Sequence, residues 1–531
     1  MALLDDRPAV AGTNQPEPLR DYNLLAENRP LVEALRREGA DWAEERALAF
    51  GELLGGEPLV WGAEANTHPP VLRAFDRSGH RVDEVDFHPA WHRLLSLGVE
   101  HGLHALPWRE PRPGAHVARG TLFTLLGQVE AGVGCPLSMT YAAVPALRAS
   151  PHLASVWEPR LTSLDYDRVT LCGMAMTEKQ GGSDVRANTT VARPTGDEYE
   201  LTGHKWFCSA PMSSVFLALA QAPGGLSCFL VPRAGLRIVR LKDKLGNRSN
   251  ASAEIELDCA PASLVGEEGR GVAAIIEMVN HTRLDCVLGT TALMRAAVSE
   301  ATHYASQRCS FGRRIADHAL MQNVLADLCL ESEAATATAL RLARAYDEAP
   351  GDEEQAHLKR LATAVSKYWV CKRGPAHVAE ALECLGGNGY VEDFGMARLL
   401  RESPLNSIWE GTGNVNCLDV LRATAKAPES LDAFLAELEP ARHADRRLDR
   451  FVRELVRELA DQAEAETRAR RLVERMALAF QGSLLVQHAP QAVADAFCAS
   501  RLDRDAGLAF GTLPPGLDFE AIVERNRPLA A

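Results

Sequence analysis

The spacing of hydrophobic positions changes twice along the chain, and the changes divide it. From Arg29 to Leu54, and again from Pro89 to Leu106, apolar residues recur at helical spacing, with a Pro/Gly-rich connection between the two runs. A third helical run covers Val117 to Ala131, so the segment to about residue 165 is predicted to be mostly helical, behind an arm of about 25 residues rich in Pro, Asp and Asn. Near Val169 the pattern shifts to short β-prone runs: Val169 to Met176, Ala187 to Arg193, Glu198 to Leu201, Val215 to Gln221, Cys228 to Pro232, Ile238 to Lys242 and Ala253 to Leu257. Gly and Pro punctuate them about every eight to twelve residues, the spacing of a small sandwich or barrel. Helical periodicity returns at Gly271 and holds through Val272 to Arg308, Ala319 to Glu348, Glu353 to Leu385 and Val415 to Lys426. This order predicts three packed units, residues 1–165, 166–270 and 271–427, that meet at a ligand.

Residues 428–531 form a fourth, helical unit with a pattern of its own. Its long basic residues are 14 Arg and no Lys. Arg442, Arg446, Arg450, Arg453 and Arg457 fall within about 80° of a helical wheel, opposite Leu448, Phe451, Leu455 and Leu459. Such a row suits a phosphate backbone and would release counterions on binding it. The interleaved Asp445, Asp449, Glu454 and Glu458 offer the other reading, a solvated helix whose arginines are paired.

Composition narrows the classes further. The 531 residues carry 57 Lys plus Arg against 71 Asp plus Glu, a net charge of −14, which excludes a wholly basic nucleic-acid surface but not a local patch. Twelve cysteines are scattered singly, with no C-x-x-C pair and no clustering with His, which points to reduced thiols in a cytosolic protein and indicates no metal site. No signal peptide is visible, and no run reaches the ~18 uninterrupted apolar residues that a membrane helix needs.

Four stretches carry candidate chemistry. In Asn406-Ser407-Ile408-Trp409-Glu410-Gly411-Thr412-Gly413-Asn414 a single carboxylate stands beside Ile408 and Trp409, and an acid in apolar company holds its proton more tightly, which suits proton abstraction. The glycines after it let backbone approach a ligand, and Thr412 and Asn414 offer hydrogen bonds. Met174-Ala175-Met176-Thr177-Glu178-Lys179-Gln180-Gly181-Gly182-Ser183-Asp184 joins glycines and hydroxyls in a loop fit for a polar ring or phosphate. Lys205-Trp206-Phe207-Cys208-Ser209 sets aromatics beside a hydroxyl, as a flat ligand requires. Arg308, Phe311, Gly312 and Gln322, with Gly386-Gly387-Asn388-Gly389-Tyr390, supply a cation, an amide and a glycine loop for a pyrophosphate.

Jointly, and in this order, these motifs resemble the acyl-CoA dehydrogenase superfamily over roughly residues 30 to 425. The resemblance implies an N-terminal helical domain, a central β domain, a four-helix bundle at residues 271–427, bound FAD, and a homo-oligomer, tetramer or dimer. The runs Met176 to Val185, Lys242 to Ala251 and Asn406 to Gly411 resemble more narrowly the branch attached to the bacterial adaptive response to DNA alkylation, whose extra C-terminal domain is credited with binding double-stranded DNA. By this resemblance Met174, Met176, Thr177, Gly182, Ser183, Phe207, Cys208 and Ser209 hold the flavin ring and its phosphate side. Arg308, Phe311, Gln322, Gly386 and Gly387 hold the ADP half, partly across a subunit interface. Ile408, Trp409, Gly411, Thr412, Gly413 and Asn414 complete the site, and Glu410 is the base that takes the α proton of an acyl thioester.

Two departures shape the expectation. The isovaleryl-type branch carries its base in a Glu-Arg-Leu triplet on a bundle helix, and here the run is Thr282-Arg283-Leu284, which leaves Glu410 as the candidate. Trp409 stands where the family usually has Tyr, and a bulkier indole narrows the acyl pocket. The expected function is a flavoprotein of the alkylation response that binds and protects DNA, with weak acyl-CoA dehydrogenase activity of isovaleryl type. The alternatives are a catabolic acyl-CoA dehydrogenase without a DNA role, and a DNA-shielding protein in which FAD is structural only.

Overall fold

The computed structural model describes residues 14–461, 463–503 and 507–529. The N-terminal unit is built from helices Arg29–Arg37, Glu44–Leu54, Glu57–Thr67, Pro89–Glu100, Ala115–Val129, Gly134–Leu147 and Pro151–Leu161. Asn28 opens the first by accepting from the Leu31 amide, and Gly39, at φ +87°, turns the chain after it. The Pro/Gly-rich connection holds a feature the hydrophobic pattern does not announce, an antiparallel hairpin of Val71–Phe75 and Arg81–Asp86. Its outward positions mix Val71 and Phe75 with Arg73, Arg81, Glu84 and Asp86, so the strand signal is diluted. Asp83 on this hairpin accepts from the Ile238 amide at 3.0 Å and fastens the helical unit to the β unit.

The β unit closes on itself. Val215–Ala222 pairs with Gly225–Pro232, which pairs with the end of the long strand Ser252–Val265. That strand pairs along most of its length with Glu198–Ser209, which pairs with Val191–Thr195, and a bridge between Val191 and Gln221 completes the circuit. Cys172–Ala175 lies parallel beside Val215–Ala222. Closure leaves an interior of Phe216, Ala218, Phe229, Val231 and Ile255, and brings Ser209 directly opposite Ser252 in the ladder.

The bundle consists of Gly271–Gln307, Ala319–Glu348, Glu353–Cys384 and Gly413–Lys426. The first helix, 37 residues long, is buried on several faces because it touches the N-terminal helices, the β unit and its own bundle at once. Arg119 of the Ala115–Val129 helix pairs inside with Asp285 of that long helix, and the guanidinium also lies over the Tyr141 ring at 3.9 Å. The architecture is mainly α with a central β barrel, the fold class that the sequence implies.

The C-terminal unit is fastened along the bundle. Its Ala465–His488 helix lies against Glu353–Cys384 and Gly413–Lys426, with Gln481 accepting from the Trp369 indole at 3.1 Å. Arg501 reaches Asp327 and Glu331, and Arg525 reaches Glu333 and Glu33. Of the predicted N-terminal arm, residues 1–13 lie outside the described residues, and Asn14 exchanges hydrogen bonds with Cys309 at the end of the bundle.

Candidate active site

A cavity of 560 Å³ opens where the three units meet. It runs along one face of the long helix, touching Val272, Ile275, Ile276, Val279, Thr282, Cys286, Gly289 and Leu293 in succession, a span of roughly 30 Å at 1.5 Å per residue. Glu410 projects into its middle. The turn that carries this residue is unusual: Glu410 has φ +57° and Gly411 φ +99°. A side chain in the left-handed region costs ~1 kcal/mol or more, so something must hold it. Lys367, on the Glu353–Cys384 helix, clamps both flanks by donating to the carbonyls of Trp409 at 2.7 Å and Gly411 at 2.5 Å. Arg283 donates to the Glu410 carbonyl at 3.0 Å and is itself fixed by Asp419 at 2.8 Å.

Among the described residues the Glu410 carboxylate has one side-chain partner, the Thr282 hydroxyl, which donates at 2.8 Å. Burial pushes the carboxyl above its ordinary range; the Thr282 bond and the charges of Lys367 and Arg283 pull it partly back. A carboxyl in that condition takes a proton at neutral pH more readily than a solvated one. Thr282, read from the sequence as the loss of an alternative base, therefore stands in the structure as the partner of the base that remains. Trp409 lines the cavity with its indole N–H fixed to Asn406 at 2.9 Å, so the bulk beside Glu410 is held in one place.

Most of the sequence-predicted residues converge here. Met174, Met176, Thr177, Gly182, Ser183, Phe207, Ser209, Ile408, Trp409, Glu410, Gly411 and Thr412 all line the cavity. A Cβ at Gly182 would meet the Thr177 hydroxyl at 2.7 Å, which explains the glycine. The Thr177 and Ser183 hydroxyls have no hydrogen-bond partner among the described residues. A long, largely apolar slot bordered by open hydroxyls and glycine backbone fits a flat ring with a polar rim, and so fits an isoalloxazine.

Other assignments fall elsewhere. Cys208 needs correction: strand alternation turns its side chain into the barrel interior, fully buried, while Phe207 and Ser209 face the cavity. Gly413 starts the last bundle helix against Tyr368 and Lys372, and Asn414 accepts from Arg470 of the C-terminal unit at 2.8 Å, so neither lines the cavity. Arg308, Phe311, Gln322, Gly386 and Gly387 gather at the outer end of the bundle, where Phe311 is 98% exposed and a Cβ at Gly386 or Gly387 would meet nothing. Of the arginine row, Arg442 precedes the Arg446–Ala460 helix and pairs with Glu439, and Arg450 pairs with Asp503. Glu454 and Glu458 pair with Arg471 and Arg475 of the neighbouring helix, leaving Arg446, Arg453 and Arg457 exposed, with no hydrogen-bond or ion-pair partner among the described residues.

Sequence reasoning missed the clamp by Lys367 and the charged wall of the cavity. Lys367 carries no local signal, since it meets the turn only through the packing of two helices. The wall consists of Lys244, Asn247, Ser252 and Glu402. Burial and the neighbouring Glu130 push the Glu402 carboxyl up to about 7, while burial pulls the Lys244 ammonium down to about 8. The run Lys242 to Ala251 contains two of the four wall residues, Lys244 and Asn247, and ends just before Ser252, but only the fold turns it toward the cavity.

Comparison with known proteins places the chain. Residues 14–168 match the adaptive response protein AidB N-terminal domain, residues 173–260 the acyl-CoA dehydrogenase middle domain, and residues 269–425 the acyl-CoA dehydrogenase C-terminal domain. The chain is 44% identical over 515 residues to AidB of Escherichia coli strain K12, covering 93% of this chain and 95% of that one. It is 32% identical to acyl-CoA dehydrogenase family member 11 of Caenorhabditis elegans, over 88% of this chain and 83% of the relative. The crystal structure of ACDH-11 from C. elegans in complex with C11-CoA superposes with a TM-score of 0.88 at 29% identity, covering 94% of each chain. An acyl-CoA dehydrogenase from Bacillus anthracis complexed with FAD shares the fold, with a TM-score of 0.67 at 20% identity over 77% of this chain and 80% of that one. The chain belongs to the acyl-CoA dehydrogenase family, in its AidB-like branch.

Proposed function

We propose that this protein binds FAD and an acyl-CoA in the 560 Å³ cavity and uses Glu410 as the base of a slow, isovaleryl-type dehydrogenation. The observation that carries the reading is the Glu410 carboxylate itself, aimed into the cavity from a clamped turn, bonded by Thr282 and held above its ordinary pKa range. Thr177, Ser183 and Ser209 would hold the flavin, in the cavity that Phe207, Ile408 and Trp409 also line. FAD supplies the acceptor for the β hydride. Glu410 takes the α proton, and Lys367 and Arg283 keep its backbone in register during the transfer. The C11-CoA bound by the C. elegans relative supports an acyl thioester as the ligand class. Arg308, Phe311, Gln322, Gly386 and Gly387 would receive the ADP half of FAD together with a second copy of the chain, in a dimer or tetramer. The Glu410→Gln variant should keep its FAD and lose at least about a hundredfold in the anaerobic rate of flavin bleaching by isovaleryl-CoA. Bleaching at the parental rate would remove Glu410 from the role.

A second activity, contact with double-stranded DNA as in the adaptive response, is supported by Arg446, Arg453 and Arg457 of the Arg446–Ala460 helix, which have no partner among the described residues. Each has the exposure that a phosphate contact needs. Arg446→Gln, Arg453→Gln and Arg457→Gln combined in the full chain should weaken duplex binding and lower its log-log salt slope by about 2 to 3. An unchanged slope would leave the catabolic reading, an acyl-CoA dehydrogenase without a DNA role.

A further inference from the structure

One group of cavity residues has no part in the proposed proton transfer. Ser209 and Ser252 stand opposite each other on the Glu198–Ser209 and Ser252–Val265 strands, with their hydroxyl oxygens 3.2 Å apart. Lys244, on the loop that leads into the second strand, reaches Ser252 Oγ with its Nζ at 3.1 Å and the Asn250 carbonyl at 2.5 Å. Ser209, Ser252 and Lys244 all line the cavity.

The direction of the bonds follows from the chemistry of the end group. An ammonium has no lone pair and only donates, so Ser252 Oγ must accept from Lys244. The Ser252 proton is then left for the one hydroxyl beside it, Ser209 Oγ. With a lone pair of Ser209 occupied in this way, its own proton is turned toward the cavity. The other polar neighbour there is Cys135, a thiol that burial pushes up to about 12 and that accepts poorly. Chains of this kind polarise one another in a low-dielectric interior, so the last hydroxyl is a stronger donor than an isolated serine.

We infer that Lys244, Ser252 and Ser209 form a hydrogen-bond chain of fixed polarity that presents a proton donor to an acceptor atom on the flavin ring. The inference rests on the reading of the cavity as an FAD site. An oxidised isoalloxazine offers ring nitrogen and carbonyl acceptors along its polar edge, and a donor tied to a cation draws electron density from the ring. Lys244 and Ser252 are thus positioning residues that set the electron affinity of the cofactor by acting through Ser209. The same lysine also closes its loop through the Asn250 carbonyl, so loss of Lys244 alone mixes a structural effect with an electronic one. Ser252→Ala separates them, because it cuts the chain and leaves the Lys244 to Asn250 bond in place.

Two measurements on the FAD-loaded protein test the chain: the dissociation constant of sulfite, which adds to electron-poor oxidised flavins, and the two-electron reduction potential. Ser252→Ala and Lys244→Met should each weaken sulfite binding by about tenfold and lower the potential by about 30 mV, a tenfold change for two electrons. Ser252→Thr keeps a hydroxyl and should stay within about twofold of the parent on both scales. A Ser252→Ala protein that carries FAD and matches the parent in sulfite affinity and potential would overturn the chain. A parent protein that takes up no FAD would instead overturn the cofactor reading beneath it. If Lys244→Met does not fold, the Ser252 pair decides alone.

Discussion

Glu178, in the loop after the Cys172–Ala175 strand, and Glu410, in the turn before the Gly413–Lys426 helix, are both glutamates withdrawn from bulk water, and they are treated in opposite ways. Six donors converge on the Glu178 carboxylate: Lys205 Nζ at 2.8 Å, the hydroxyls of Thr189 and Thr190, both their amides, and the Gln180 side chain. Burial pushes this carboxyl up, but Lys205, Thr190 and the Thr189 amide outweigh it and leave it at about 2. Glu410 has one donor on its carboxylate, and burial prevails. A carboxylate whose lone pairs are all engaged resists taking up a proton near neutral pH, whereas one with an oxygen facing a cavity takes it up more readily. The number of donors, more than the depth of burial, separates the acid that braces the loop from the acid that can do chemistry.

The largest expected effect tests that division through stability. Glu178→Gln strands a buried Lys205 ammonium, which is 1% exposed and otherwise bonded only to the Leu219 carbonyl. Breaking one partner of such a pair costs about 3–5 kcal/mol. The variant should unfold several degrees below the parent, and pairing it with Lys205→Met should recover most of the loss. Glu410→Gln removes an acid whose charged form is disfavoured by the fold, and should unfold at or above the parental temperature. Equal losses in the two single variants would erase the distinction.

Next in size is the pH dependence, where the two residues carry opposite signs. For Glu178 the folded pKa lies below the unfolded value of ~4.3, so its stabilisation is complete above that pH and disappears as pH falls toward about 2, a change of about 3 kcal/mol. For Glu410 the folded pKa is raised, so the folded state binds the extra proton and the penalty develops as pH rises above ~4.3. Denaturant titrations at several pH values should therefore show the deficit of Glu178→Gln shrinking toward pH 2. The advantage of Glu410→Gln should grow toward pH 8. A Glu410→Gln advantage that is flat with pH would mean that the carboxyl is not perturbed.

The motifs that carry the two glutamates are legible in the sequence, but the contrast between them is not, for a physical reason. The helix, β, helix order follows from hydrophobic period, and the helix predicted at Ala319 to Glu348 is the one observed. The Glu178 and Glu410 motifs stand out because glycines and hydroxyls cluster around them. What one-dimensional spacing could not reveal is which residues from distant elements meet a given carboxylate. Thr282 lies 128 positions before Glu410, and Lys367 more than 40, and neither has a neighbour that announces the contact. Cys208 was misassigned because a contiguous motif was read as one surface, although a strand sends alternate side chains to opposite sides. The arginine row is found by its period, but only the tertiary packing decides that Arg450 meets Asp503 while Arg453 and Arg457 have no partner among the described residues.

The smallest expected effect is the most specific, because it alters the donor number at Glu410 alone. Thr282→Val preserves volume and removes the one hydroxyl that bonds the carboxylate. The helix should tolerate this, since the Thr282 hydroxyl otherwise meets only the Met278 and Val279 carbonyls, which already serve in the helix ladder. A hydrogen bond to the charged form favours that form, so its loss raises the Glu410 pKa further and leaves less of the base ionised at neutral pH. The rate of flavin reduction by acyl-CoA should fall about tenfold at pH 7, equivalent to ~1.5 kcal/mol for a hydrogen bond to a charged group, and recover as pH rises. The whole pH profile would move to higher pH with little change in its plateau. A drop that is the same at every pH would show that Thr282 acts on position or substrate fit instead. The donor number would then no longer explain why Glu410 and Glu178 differ.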